Sequence, residues 1–339
     1  MFAREVNSSD ILKAALADVV FLKVDCEKGA GPELARQFEI HAYPTYYVVN
    51  AQGEPVEHWV GYEDAAAWAA MVAAAHADPR TLAAKRTAHE AQPAAPLAIS
   101  LANDRLAMDD YAGAVKLFRQ ARDLDPARAA ACTENIFMAM IYGSGEGLFA
   151  FDELRGEGDR ILAAPTTSTE DRVELASLLL GAARDQDHVA DAVPYLVDAL
   201  KAAEGLPEDT PVARTLKGLR VDHALLVEKD APKAVTLRKE MMPEGWLQEA
   251  RRLNQFAWWC FQNGVDLYEA DTLIMQAVDL AADDGEKARC LDTAAEIALA
   301  RGRADEPVTR ARRAAELQPD NGQYKEQLAR FEAAAAKKG

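Results

Sequence analysis

Cysteine is scarce in this sequence: Cys26, Cys132, Cys260 and Cys290 are far apart and none belongs to a C-x-x-C pair. That spacing excludes a disulfide scaffold and a zinc ribbon. Widely separated free thiols fit a reducing, cytoplasmic setting, with a periplasmic one as the alternative if a longer N-terminus carries a signal peptide. The opening residues, Met1 to Asn7, contain no apolar h-region of the kind a signal peptide needs. No apolar run reaches the 18 or so residues that a membrane helix requires. Basic residues are outnumbered, with Lys plus Arg at 38 against Asp plus Glu at 55, a formal net charge of −17. A nucleic-acid or anionic-membrane binder is therefore not expected, because no basic stripe offsets the repulsion. The six histidines (His41, His58, His76, His89, His188 and His223) show no metal-ligand spacing. Gly143-Ser144-Gly145-Glu146-Gly147 lacks the preceding strand and the following Gly-Lys-Ser/Thr of a phosphate loop, and reads as an inter-helix loop. Neither a G-x-S-x-G elbow nor a kinase signature occurs. No catalytic residue, metal site or cofactor is expected.

Half of the 339 residues are apolar, enough for a sizeable core. Two regions differ in kind. Residues 1–78 mix strand-like and helix-like runs, 79–96 read as a Pro/Ala linker, and 97–336 read almost wholly as helix, with β-branched residues scarce after residue 60. In the first region Ser9-Asp10 can cap a helix running to about Ala17. The continuous apolar run from Val19 to Val24 suits a buried strand. Gly31-Pro32-Glu33 opens a helix, Thr45–Val49 and Glu54–Val60 read as strands across an Ala51-Gln52-Gly53 turn, and Glu63-Asp64 start a helix through about Ala77. The expected order is α-β-α-β-β-α.

That order, with Lys23-Val24-Asp25-Cys26, the segment Leu34 to Ile40, Ala42-Tyr43-Pro44-Thr45, Asn50-Ala51-Gln52-Gly53-Glu54 and Val60-Gly61, resembles the thioredoxin family. The resemblance implies a partial α/β thioredoxin-like module over 1–78, a cis Tyr43–Pro44 bond buried against the preceding helix, and a substrate groove at Tyr43, Pro44 and Thr45. The family's catalytic C-x-x-C opens the helix before the first strand, and this sequence has no such motif. Cys26 is a weak candidate thiol, since it follows a strand and has no resolving partner nearby. Without the family's first two strands, Val19–Val24 would leave an open sheet edge, so self-association through 1–78 is expected.

The second region repeats with a period of about 34 residues. Leu101-Ala102, Tyr111, Ala114, Phe118, Ala121 and Pro126 form one unit. Leu179-Leu180, Ala192, Leu196 and Ala199 mark another, Ala257-Trp258, Ala270, Ile274 and Ala277 a third, and Leu291, Ala294-Ala295, Gly302, Ala314 and Pro319 a fourth. Degenerate pairs are expected at about 129–163 and 211–242, giving about six helix pairs and a capping helix near Tyr324–Ala335, with Lys337-Lys338 at its electronegative end. Small residues let paired helices approach, and large ones fill the gap to the next pair. The pattern resembles tetratricopeptide (TPR) proteins, which implies an all-α superhelical solenoid that binds polypeptides.

Candidate partner-binding residues are Asn103, Trp258 and Trp259. Asn103 falls where peptide-binding TPR domains place an asparagine, but Ile99 stands where they have a lysine. Trp258-Trp259-Cys260-Phe261 lie on one helix, so one Trp is expected in the core and the other at the partner surface. The expected function is protein–protein interaction, with protein or peptide partners and, from the net charge, a preference for basic or apolar segments. The alternative is a thiol–disulfide oxidoreductase whose C-x-x-C lies upstream of Met1 in the complete protein.

Overall fold

The computed structural model describes residues 2–207, 209–303 and 305–336. Cα packing divides the chain into two compact units, Met1–Ala192 and Val193–Gly339, and the division falls inside a helix, Val189–Ala202. Among the described residues no helix is long and apolar enough to cross a membrane.

The first unit opens with three short helices, α1 (Phe2–Glu5), α2 (Asp10–Ala15) and α3 (Gly31–Gln37). Ser9 caps α2 by accepting the Leu12 N–H. A hairpin follows, β1 (Thr45–Val49) and β2 (Pro55–Val60), paired antiparallel with Tyr46 opposite Trp59 and Tyr47 opposite His58. Asn50 Oδ1 accepts the backbone N–H of both Gln52 and Glu54 and so closes the turn. Helix α4 (Ala65–Ala77) begins at Asp64, whose carboxylate accepts the Ala67 N–H. Phe2, Leu12, Trp59, Trp68 and Val72 form the small core of this part, with Phe2 and Trp68 ring centroids 4.9 Å apart.

Residues 20–24 form no strand. The expected α-β-α-β-β-α order is therefore corrected to three helices, a hairpin and a helix, and the sheet has two strands. A strand exists only where a neighbour completes its ladder, and none of the described residues pairs with this run. Its side chains consequently stay in water, Val20 at 99% and Leu22 at 74% exposure. Among the described residues a thioredoxin-like sheet is not formed.

Residues 79–96 are not an extended connector. They contain helix α5 (Leu82–Ala91), capped by Thr81 through the Ala84 N–H. Its Lys85 is 1% exposed. The ammonium donates to the Val56 carbonyl at 2.9 Å and to Glu57 Oε1 at 2.5 Å. Ser100 donates to both Glu57 oxygens, and the adjacent His58 Nδ1 lies 3.2 Å from Asp104. Ser100 and Asp104 belong to α6 (Ala95–Ala107), so these polar groups fasten the hairpin to the first long helix.

Paired helices occupy the rest of the chain. Helix α6 pairs with α7 (Tyr111–Leu124), and α8 (Ala129–Ser144) with α9 (Phe151–Ala163). Then come α10 (Thr169–Asp185) and α11 (Val189–Ala202). In the second unit α12 (Ala213–Leu226) pairs with α13 (Ala231–Glu240), α14 (Ala250–Asn263) with α15 (Leu267–Leu280), and α16 (Asp284–Ala300) with α17 (Glu306–Leu317). Helix α18 (Gly322–Ala336) packs on α17. The crossings are made by alanines with no exposure, among them Ala102, Ala114, Ala121, Ala257, Ala270, Ala277, Ala294 and Ala314. Pro307 sits in the first turn of α17, where proline removes no helical hydrogen bond. The expected role of Lys337-Lys338 falls outside the described residues.

Candidate binding site

Around the hairpin, the structure places Cys26 near Tyr43, whose phenol is pushed up by burial first and then by the neighbouring Cys26 thiol. Tyr43–Pro44 is cis, as expected. Pro44 is exposed, however, which corrects the expected burial against the preceding helix. With residues 20–24 outside the sheet, no layer covers the proline. The Pro44 carbonyl accepts the Gly61 N–H at 2.8 Å, and Thr45 Oγ1 donates to the Ala42 carbonyl at 2.6 Å. Tyr43, Pro44 and Thr45 thus close a turn at the base of the hairpin. The other three cysteines are buried, and burial raises each thiol: Cys132 upward, Cys260 to about 12 and Cys290 to about 11. Thiols so protonated are poor nucleophiles near neutral pH.

Asn103, on α6, lines a cavity of 410 Å³ with Trp59, Tyr62, Trp68 and Met71. Its Nδ2 donates to Met71 Sδ at 3.8 Å. The amide is therefore engaged by α4 of its own unit. The Trp68 indole N–H beside it is buried and has no acceptor.

The aromatic pair separates on α14. Trp259 packs beside the small core of Val221, Ala224 and Ala234, with the Arg238 guanidinium 5.6 Å over its ring. Burial lowers the Arg238 pKa, with Asp222 opposing. Trp258 points away from that core, is 36% exposed and packs at a tilt on Phe261, centroids 5.1 Å apart. Leu253, Phe256, Ala257 and Cys260 hold the buried face of α14 against α15 and α16, and so orient Trp258 outward.

Along the same face as Trp258 lie residues absent from the sequence-derived candidates. Arg251, Asn254 and Gln255 of α14 and Glu286, Arg289 and Cys290 of α16 line a groove of 390 Å³. Arg251, Asn254 and Trp258 are spaced i, i+3, i+7, one helical stripe. That spacing was legible in the sequence; the approach of Arg289 from α16 was not. Asn254 Oδ1 is buried and receives no hydrogen bond.

No family model matches the chain, and no curated protein matches it. Among solved structures, one similar chain is YrrB, described as a TPR protein with an unusual peptide-binding site. The two are 16% identical, the match covers 72% of this chain and 96% of that one, and the TM-score is 0.34. A likeness this slight decides nothing about fold or ligand, which rest on the chain's own residues.

Proposed function

We propose that this chain is a polypeptide-binding protein of the TPR type, non-catalytic, whose partner surface includes the Trp258 face of α14. The carrying observation is Trp258 itself: a large aromatic held outward by a packed helix behind it, with Phe261 tilted against it. Aromatic side chains in such settings dominate binding energies. The small-residue crossings and proline-closed units that resemble TPR proteins support the same reading, since such pairs present one helix of each pair to a partner. Residues 20–24 and the free edge of β1 support self-association of the first unit as a second contact. The finer reading of residues 1–78 as a remnant thioredoxin-like module rests on its Tyr-Pro-Thr and Val-Gly segments alone. The redox alternative has no geometric support here, because Cys26 has no second thiol beside it and the other three are buried.

Binding of the full chain to a display of short synthetic peptides tests the function. Saturable binding is expected, weakened by Trp258→Ala by about 2 kcal/mol, roughly 30-fold, with an unchanged melting profile. Tyr268, the most exposed aromatic of the neighbouring helix, serves as the control. Absence of any binding, or equal losses from Trp258→Ala and Tyr268→Ala, would overturn the proposal.

A further inference from the structure

Arginines in the second unit are mostly committed to carboxylates. Asp271 is bound by both Arg301 and Arg310, Glu306 by Arg303 and Arg310, Glu332 by Arg312 and Glu316 by Arg313. Arg251 and Arg289 are exceptions, as are Arg214, Arg220 and Arg238: none of these makes an ion pair among the described residues, although the chain carries a net charge of −17. Arg251 and Arg289 both line the groove between α14 and α16. Arg251 stands in the first turn of α14, whose N-cap residue Glu249 makes no side-chain cap and has its carboxylate 3.6 Å from Arg252. A cation at a helix N-terminus is held against the positive end of the helix dipole. Two guanidiniums against one carboxylate leave the groove with an excess of positive charge, which favours an anion. The groove's one carboxylate, Glu286, accepts the Ala282 N–H at 2.9 Å and forms an ion pair with neither arginine. Asn254 Oδ1 adds a buried acceptor without a donor, suited to an amide N–H. One turn further along the same helix face stands exposed Trp258.

We infer that the α14–α16 groove binds an acidic polypeptide segment. A carboxylate side chain of that segment seats on Arg251 and Arg289, a backbone N–H donates to Asn254, and an adjacent apolar side chain covers Trp258. The assignment rests on the peptide-binding reading and gives it a partner chemistry. It reverses the preference for basic segments that net charge alone implies. At physiological salt, charges beyond a Debye length of about 8 Å are largely screened, so the local pair of arginines governs the groove.

The test uses the full chain and calorimetric titration with acetylated, amidated hexapeptides carrying Glu-Phe, Gln-Phe or Lys-Phe at their centre. A Phe-ended peptide with a free C-terminal carboxylate and inorganic phosphate are the further probes. The Glu-Phe peptide is expected to bind about tenfold or more tighter than the Lys-Phe one, and to weaken as salt is raised. Arg251→Gln and Arg289→Gln are each expected to weaken it about tenfold and leave the Lys-Phe peptide unaffected. Both arginines are exposed and unpaired, so unchanged thermal melts are expected and separate binding from folding. Tighter binding of the free C-terminal peptide or of phosphate, lost in the same variants, would overturn the side-chain assignment in favour of a terminal carboxylate or a simple anion site. Binding that depends on Trp258 but ignores peptide charge would overturn the acidic subsite and leave the peptide-binding function standing. No binding of any peptide would overturn both.

Discussion

Lys85 is the side chain on which the first unit has most to lose. Its ammonium is withdrawn from water and its charge is answered by Glu57, itself 2% exposed, with Ser100 and the Val56 carbonyl completing the shell. Removing one member of a buried pair strands the other's charge, whereas removing both is often close to neutral. Lys85→Met is therefore expected to cost about 3 kcal/mol in denaturant unfolding, and the double change with Glu57→Leu to recover much of it. A second residue ties stability to pH. Burial first, then the charge of Glu296, raises the Asp292 carboxyl to about 6, against the opposing effects of Gln327 and Arg330. A carboxyl whose folded pKa lies above its unfolded value contributes stability that is full below about pH 4 and is lost as pH rises through about 6. Asp292→Asn should raise stability at pH 7 by about 1–2 kcal/mol, discounted for partial exposure, and leave pH 4 nearly unchanged. Melting curves of both proteins at the two pH values decide it.

At the scale of elements, the turns within the helix pairs share one device. A residue with left-handed backbone follows the first helix of each pair: Asp109 (φ 57°), Gly147 (φ 74°), Asp187 (φ 62°), Lys229 (φ 57°), Gly264 (φ 64°, with Asp266 at φ 45° two residues on) and Gly302 (φ 73°). That conformation frees the chain to reverse while the last carbonyls keep their partners. The Asp230 N–H, just after Lys229, returns to the Ala224 carbonyl at 2.9 Å. Only glycine adopts it without a steric penalty, and lysine at 229 gains nothing from a local side-chain bond. Lys229→Gly is expected to stabilise the second unit by about 0.5–1 kcal/mol, measured by the denaturant midpoint at unchanged slope. A lower midpoint would mean that the entropy of the unfolded glycine outweighs the relieved strain.

For the whole molecule, the exposed apolar run and the sheet edge govern solution behaviour. Val20 and Leu22 present apolar surface from a segment whose backbone has no ladder partner. Such segments add strands to copies of themselves. Sedimentation at high micromolar concentration is expected to show self-association that Val20→Asp with Leu22→Lys abolishes. A monomeric wild-type chain under those conditions would refute this. The net charge of −17 opposes close approach of two copies, so association should strengthen with added salt.

Much of this was readable along the chain because its signals are local. Ser9, Asp64 and Asp110 announce helix starts through their own carboxylates and hydroxyl, and the alanine spacing of 257, 270 and 277 announces a helix crossing within one repeat. The Asn50–Gly53 turn likewise sets the hairpin through bonds only two and four residues long. The outcome at 20–24 was not local: an apolar run becomes a strand only if another strand lies beside it, and no sequence window contains that partner. Nor was the helix at 82–91, where Pro and Ala nearby read as a linker while the deciding contacts of Lys85 lie 28 residues back, at Glu57. The sequence by itself determined the paired helices and placed two tryptophans on one helix. Only tertiary packing decided which of them faces out, and set Arg289 of α16 across a groove from Arg251 of α14. Periodicity reports which face of an element is apolar, whereas the meeting of two faces depends on every intervening turn.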